Sequence, residues 1–166
     1  MTRLALLSTA NNSLTGPLPP AWSCLAWLNS LGLSSNHLSG ILPPAWSALR
    51  QLSFLAAFHN SLSGPLPPAW SGLRALQLLD MAQNKLNGTL PPVWTTMRLT
   101  ELYLDYNTLT GSMPPAWSAM MTLQLLSLHF QLPDRATAAS VEYLGAADLT
   151  CCGKQLADRD AAACVG

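Results

Sequence analysis

A period of 24 residues constrains this chain more than any other feature of its 166 residues. Asn12, Asn36, Asn60, Asn84 and Asn107 stand 24, 24, 24 and 23 residues apart. Two positions after each comes leucine (Leu14, Leu38, Leu62, Leu86, Leu109), and four positions after comes glycine (Gly16, Gly40, Gly64, Gly88, Gly111). Leu18-Pro19-Pro20, Leu42-Pro43-Pro44, Leu66-Pro67-Pro68, Leu90-Pro91-Pro92 and Met113-Pro114-Pro115 follow, and then Trp22, Trp46, Trp70, Trp94 and Trp117. Ahead of each Asn, apolar residues fall eight, five and three positions back, as in Leu28, Leu31 and Leu33 or Leu99, Leu102 and Leu104. Thr9 and Ala57 depart from the pattern, and one residue is missing between Met97 and Leu102. A sixth unit opens with Leu123, Leu126 and Leu128 but has Gln131 in the Asn position and Pro133 in the leucine position, so the array is expected to end there. A fixed period of this size means one supersecondary unit stacked on copies of itself.

The short Leu-x-Leu segment alternates at period two, which turns its leucines inward and the residues between them outward. Strands from successive coils then pair in parallel about 4.8 Å apart. No repeat buries its apolar edge alone, so the leucines of neighbouring coils must fill one continuous core. The Asn is expected to turn the chain inward, its amide satisfying backbone groups of its own and the next coil as both donor and acceptor. Glycine permits backbone angles closed to other residues, and the prolines are expected to fix an extended, non-helical path across the convex side. Trp is expected to cover that side and stack rung upon rung. Paired prolines also suit SH3 or WW ligands, but their strict phase with Asn and Leu assigns them to the scaffold.

The pattern L-x-x-L-x-L-x-x-N-x-L-x-G-x-L-P resembles the leucine-rich repeat family over roughly residues 4–131. Its Gly-x-Leu-Pro half is similar to the plant-specific 24-residue class of plant and algal receptor ectodomains, and the Pro-Pro-Ala-Trp-Ser version also resembles repeats of some protist surface antigens. The resemblance implies an α/β solenoid: a curved superhelix with a parallel concave β-sheet of about six rungs and a short C-terminal cap. The expected division is 1–131 for the solenoid and 132–166 for an Ala-rich, Cys-containing cap or tail.

Function in a solenoid sits on its extended concave surface, at the outward positions four, two and one before each Asn. In the first two units these are Ser8, Ala10, Asn11, Gly32, Ser34 and Ser35, all small or polar. Beyond them Ala56, Ala82, Gln83 and Ser127 are interspersed with Phe58, His59, Asp80, Tyr103, Asp105, Tyr106, His129 and Phe130, which form the candidate ligand-binding patch. Rigid exposed aromatics make good interface anchors, and Asp80 and Asp105 suit a basic group on a ligand. The alternative is that Phe58 and Phe130 pad neighbouring rungs and that the acids are solvated strand residues. His59, Asp80, Asp105 and His129 lie on nearby rungs, yet no oriented base and nucleophile accompany them, so neither catalytic residues nor a metal site nor a cofactor is expected. His37 is read as a solvated turn residue.

Composition narrows the partners. Only 10% of residues are charged and the formal net charge is zero, which leaves no electrostatic footprint for nucleic acid. Although 49% of residues are hydrophobic, no run reaches the ~18 that a membrane span needs. Cys24 is expected to be a small buried hydrophobe, while Cys151, Cys152 and Cys164 crowd the tail, where a short helix from Asp134 to about Leu149 is expected. Cys152-Gly153-Lys154-Gln155-Leu156 and the later Cys164 are similar to C-terminal caps of plant extracellular repeat proteins. That similarity implies a disulfide of Cys164 with Cys151 or Cys152 and an oxidising compartment; reduced thiols in a cytosolic tail are the alternative. Two glycosylation triplets, beginning at Asn11 and Asn87, fit an extracellular location. The chain enters its first coil within four residues, which suggests a fragment. The expected function is non-enzymatic recognition of a protein or peptide through the concave face, at the cell surface. The sensing part of a receptor kinase and a cytoplasmic interaction scaffold are the alternatives.

Overall fold

The computed structural model describes residues 3–129, 131 and 155–156. Each full repeat runs through a short strand, a turn, a second short strand and a 3-10 helix. The first strands are β1 (Leu6–Ser8), β3 (Ser30–Gly32), β5 (Phe54–Ala56), β7 (Leu78–Asp80), β9 (Glu101–Tyr103) and β11 (Leu125–Ser127). The second strands are β2 (Thr15–Pro17), β4 (His37–Ile41), β6 (Ser61–Pro65), β8 (Lys85–Gly88) and β10 (Thr108–Leu109). The helices are η1 (Pro20–Cys24), η2 (Pro44–Ala48), η3 (Pro68–Gly72), η4 (Pro92–Thr96) and η5 (Pro115–Ala119). The helical part of this α/β solenoid, among the described residues, is thus built from 3-10 turns.

The first strands pair in parallel in chain order, each leucine beside its counterpart: Leu7 with Leu31, Leu55 with Leu79, Leu102 with Leu126. These are the expected six rungs, and Gln155–Leu156 (β12) adds a seventh strand beside β11. The second strands form a five-stranded parallel sheet of their own, in the order β10-β8-β6-β4-β2, which the sequence reading did not anticipate. Its register is staggered, so that a glycine lies beside the leucine of the next coil: Gly40 with Leu62, Gly64 with Leu86. At Gly64 φ is +79°, and an added Cβ would stand 2.9 Å from Ile41 Cγ2, so glycine is required there both by backbone angle and by space.

The prolines divide their work. The first of each pair is extended, as at Pro43 (φ −69°, ψ 118°), whereas the second begins the 3-10 helix, where its fixed φ fits and its missing N–H costs nothing. The expected non-helical path therefore holds only for the first. Trp stacks rung upon rung as expected, with ring centroids 6.0–6.5 Å apart and ring planes within 10°. From the second rung on, however, these rings belong to the core: Trp46, Trp70 and Trp94 are fully buried. Each indole N–H donates to the first proline's carbonyl in the preceding coil, Trp70 Nε1 to Pro43 O at 2.9 Å and Trp94 Nε1 to Pro67 O at 3.0 Å. The coil repeat is therefore wider on the tryptophan side than the roughly 4.8 Å between paired strands, and the first sheet is the concave face.

The missing residue near Met97 is absorbed locally. The C-caps Leu25, Leu49, Leu73 and Met120 have ψ between 64° and 73°, while Met97 extends to 153°. The shortened loop still delivers Leu102 beside Leu79.

The Asn side chains tie each coil to the preceding one, not to the next. Asn84 Nδ2 donates to Ala57 O in the preceding coil at 3.0 Å and to Met81 O and Ala82 O in its own, and Asn84 Oδ1 accepts Leu62 N–H at 3.0 Å. Asn36, Asn60 and Asn107 repeat this set. The chain is turned by the residue before each Asn: Asn11, Ser35, His59, Gln83 and Tyr106 are all left-handed, with φ from 51° to 56°. Gln131 does not end the ladder. Its longer amide accepts Leu109 N–H at 3.1 Å and donates to Leu104 O at 2.9 Å and Leu128 O at 3.2 Å.

Replacing Asn84 by Asp removes the donors to three carbonyls, and replacing it by Ala also orphans Leu62 N–H. Either change is expected to lower stability by about 2–4 kcal/mol in urea denaturation. Asn12, exposed in the first coil, is expected to tolerate Ala at under about 1 kcal/mol.

Candidate functional site

On the concave sheet the strand register sets the outward residues in rows. One row runs Ser8, Gly32, Ala56, Asp80, Tyr103, Ser127, fixed by direct pairing at each step. A row on its strand-start side was missed in the sequence: Leu6, Ser30, Phe54, Leu78, Glu101, Leu125. These residues stand six before each Asn, and the period-two alternation that points Tyr103 outward also points Glu101 outward, so the signal was present. Ser34, Ala56 and Ser127 face outward but are buried, because small side chains on a sheet sink between larger neighbours.

The structure gathers most of the candidate patch. Phe54 and Phe58 are exposed large hydrophobics of the third coil, and Tyr106 is one in the fifth. His59 and Tyr106 hold left-handed backbone positions, and both side chains are exposed. Glu101, Tyr103 and Asp105 follow one another on the same face at β9, and Tyr103 Oη donates to Glu101 Oε2 at 2.9 Å. Asp80 sits beside Tyr103 and accepts Ala82 N–H at 3.1 Å on Oδ1. Phe130 lies outside the described residues, as do Cys151, Cys152, Cys164 and the expected tail helix.

Asp105 and His129 meet as the sequence allowed, and Ser127 joins them. Asp105 Oδ1 accepts Ser127 Oγ at 2.5 Å and His129 N–H at 2.9 Å, and lies 3.2 Å from His129 Nδ1. Ser127 Oγ also lies 3.2 Å from that same Nδ1. Nucleophile activation needs the hydroxyl on one imidazole nitrogen and the carboxylate on the other. Here both crowd Nδ1 and the hydroxyl donates to the acid, so the cluster locks two coils together. His59, two coils away, takes no part. Asp105 is thereby engaged within the fold, which leaves Tyr103, Tyr106, Phe54 and Phe58 as the main contact area.

Two expectations about single residues change. Cys24 is exposed rather than buried, because it closes η1 at the position of Ala48, Thr96 and Ala119, on the outer side of the coil. His37 is exposed as expected, but it opens β4 and is not in a turn. Among the described residues no helix is long and apolar enough to cross a membrane.

A leucine-rich-repeat family model matches residues 27–49, 75–97 and 98–120. The plant peptide hormone receptor RGFR1, solved in complex with RGF2, is 32% identical with a TM-score of 0.74, covering 76% of this chain and 20% of that one. The Arabidopsis receptor kinase HAESA, solved with the peptide hormone IDA and the co-receptor SERK1, is 35% identical with a TM-score of 0.70, covering 74% and 21%. A plant ice-binding protein is 36% identical with a TM-score of 0.65, covering 69% and 38%. No match was found among curated protein sequences. Strand order, repeat and matches together make the chain a leucine-rich-repeat protein. Its spacing is that of the 24-residue class, and it spans about a fifth of the length of the two plant receptors named above.

Asp105→Ala is expected to cost about 1–3 kcal/mol in thermal or urea denaturation, since it leaves the buried Ser127 hydroxyl without its acceptor. Ser127→Ala is expected to cost less, and the double variant less than the sum of the two.

Proposed function

We propose that this chain is a non-enzymatic recognition scaffold that binds a peptide or protein segment across the concave sheet between the third and sixth coils. The observation that carries the reading is the continuity of one surface: exposed Phe54 and Phe58 beside Asp80, Glu101, Tyr103 and Tyr106. Aromatic side chains on a rigid sheet give contact area at little entropic cost, and the strand backbone beneath them is already fixed. The acids suit a basic group on the ligand. Structural neighbours solved with peptide hormones support this use of the fold. They also support a location outside the cell, and we take residues 132–166 as a C-terminal cap or tail.

A second reading is favoured by a different surface. On the second sheet Thr15, Ser39, Ser63 and Asn87, with Thr110 just past β10, occupy one repeat position and so present one hydroxyl or amide group per coil. Such a row orders bound water, and the similarity to a plant ice-binding protein supports ice as its ligand. Inhibition of ice recrystallisation by the chain, lost in Ser39→Tyr and Ser63→Tyr variants, would favour this reading over the first.

The peptide reading is tested by selecting binders from a random peptide display library on the immobilised protein. Phe58→Ala and Tyr106→Ala are each expected to weaken the selected peptides about tenfold or more. Peptides whose affinity neither change alters would place recognition elsewhere.

A further inference from the structure

Net neutrality conceals a segregation of charge. Among residues 3–129 the carboxylates are Asp80, Glu101 and Asp105, all on the concave face. Three of the five Lys and Arg residues in that span, Arg50, Arg74 and Arg98, stand four positions after successive tryptophans, in the loops that lead from η2, η3 and η4 to β5, β7 and β9. The flanking coils place Ala26 and Met121 at this position, so the row is three coils long. All three arginines are exposed, and no carboxylate among the described residues pairs with them. With Gln51, Ala75 and Thr96 they line an open groove of about 650 Å³ along the edge of the solenoid. Like charges held side by side on successive rungs destabilise the fold that holds them. No carboxylate among the described residues offsets that cost.

We propose that Arg50, Arg74 and Arg98 form a docking edge for an extended acidic peptide segment of a partner, with carboxylates at alternate positions. Guanidinium forks bind carboxylates through paired hydrogen bonds, and a row of them reads a row of acids. The coils that carry the arginines repeat at 6.3 and 6.5 Å on the tryptophan side. An extended chain places every second side chain about 6.6–6.8 Å apart on one face, close to that repeat. Gln51, in the same groove, offers an amide to the peptide backbone, and Thr96 Oγ1, which donates to Ser71 O at 3.0 Å, keeps a lone pair to accept an N–H. A nucleic-acid strand is the poorer occupant, because no aromatic side chain lines the groove to stack a base.

The test uses the full chain and two dye-labelled synthetic peptides of one composition, the first alternating Asp and Ser and the second with its Asp residues consecutive. Fluorescence anisotropy at low salt is expected to show tighter binding of the alternating peptide, weakened by added salt. Each of Arg50→Gln, Arg74→Gln and Arg98→Gln is expected to weaken it by about three- to fivefold. The melting curves should match the parent or shift slightly upward, because all three side chains are exposed and each change relieves repulsion within the row. Phe58→Ala and Tyr106→Ala should leave this binding unchanged, which keeps it distinct from recognition on the concave face. Equal affinity for both peptides, binding that survives the triple Arg→Gln variant, or capture of a sulfated polysaccharide but of neither peptide would each overturn the proposal.

Discussion

Everything in this solenoid depends on how one coil is held to the one before it, and the asparagine amide supplies that link. A coil of 24 residues contains strands of only two to five residues, too short to hold their own register. Asn84 resolves this by closing the turn of its own coil through Met81 O and Ala82 O while gripping Ala57 O and Leu62 N–H of the preceding one. Two strands of the earlier coil, β5 and β6, are thereby located relative to the later one. Because the partners are backbone groups, the clasp is indifferent to side-chain sequence, which frees the outward positions to vary. The backbone cost appears at the residue before each Asn: five different residue types are held left-handed, a conformation that costs L-residues roughly 1–2 kcal/mol. That cost is borne because the next N–H still reaches its cross-coil acceptor, as Asn60 N–H reaches Gln83 O at 3.2 Å.

The tryptophan side is a second spacer. Ring upon ring, tied by an indole N–H to a proline carbonyl in the preceding coil, it sets a repeat wider than a strand ladder allows, so the stack must bend toward the sheet. The first of the paired prolines presents its carbonyl to the indole of the next coil, and the second starts the helix that carries the ring. The shortened fourth loop shows where tolerance lies. A change of one residue is taken up by the backbone at Met97, while the leucines, the amide clasp and the tryptophans on either side keep their places.

The parts of this architecture legible in the sequence are those fixed by side-chain type at constant spacing: the leucine core, the parallel rungs, the stacked tryptophans and the asparagine ladder. What was hidden is fixed by backbone geometry. The second sheet escaped notice because Leu38, Leu62 and Leu86 alternate over too few residues and are cut short by glycine, which reads as a turn. The left-handed positions carry no glycine to announce them. Gln131 reads as the end of the array if residue identity is the criterion, but it continues the clasp once reach and amide chemistry are considered. In the candidate site, Phe58, Tyr103 and Tyr106 were visible from the alternation, whereas the engagement of Asp105 by Ser127 and His129 depends on proximity between coils that spacing alone does not give.

Composition misleads about electrostatics for a related reason. A formal charge of zero describes a sum, but a solenoid sorts residues by repeat position, and each repeat position becomes a separate face. Carboxylates placed two, four and six before the Asn all emerge on the concave sheet, while arginines four after the tryptophan all emerge on one edge. A single residue type at one position, repeated over three coils, is enough to build a surface of one sign on a neutral chain. The relevant measure of charge in such a fold is therefore the sum along each repeat position, because a partner lying along the stack meets one position at a time.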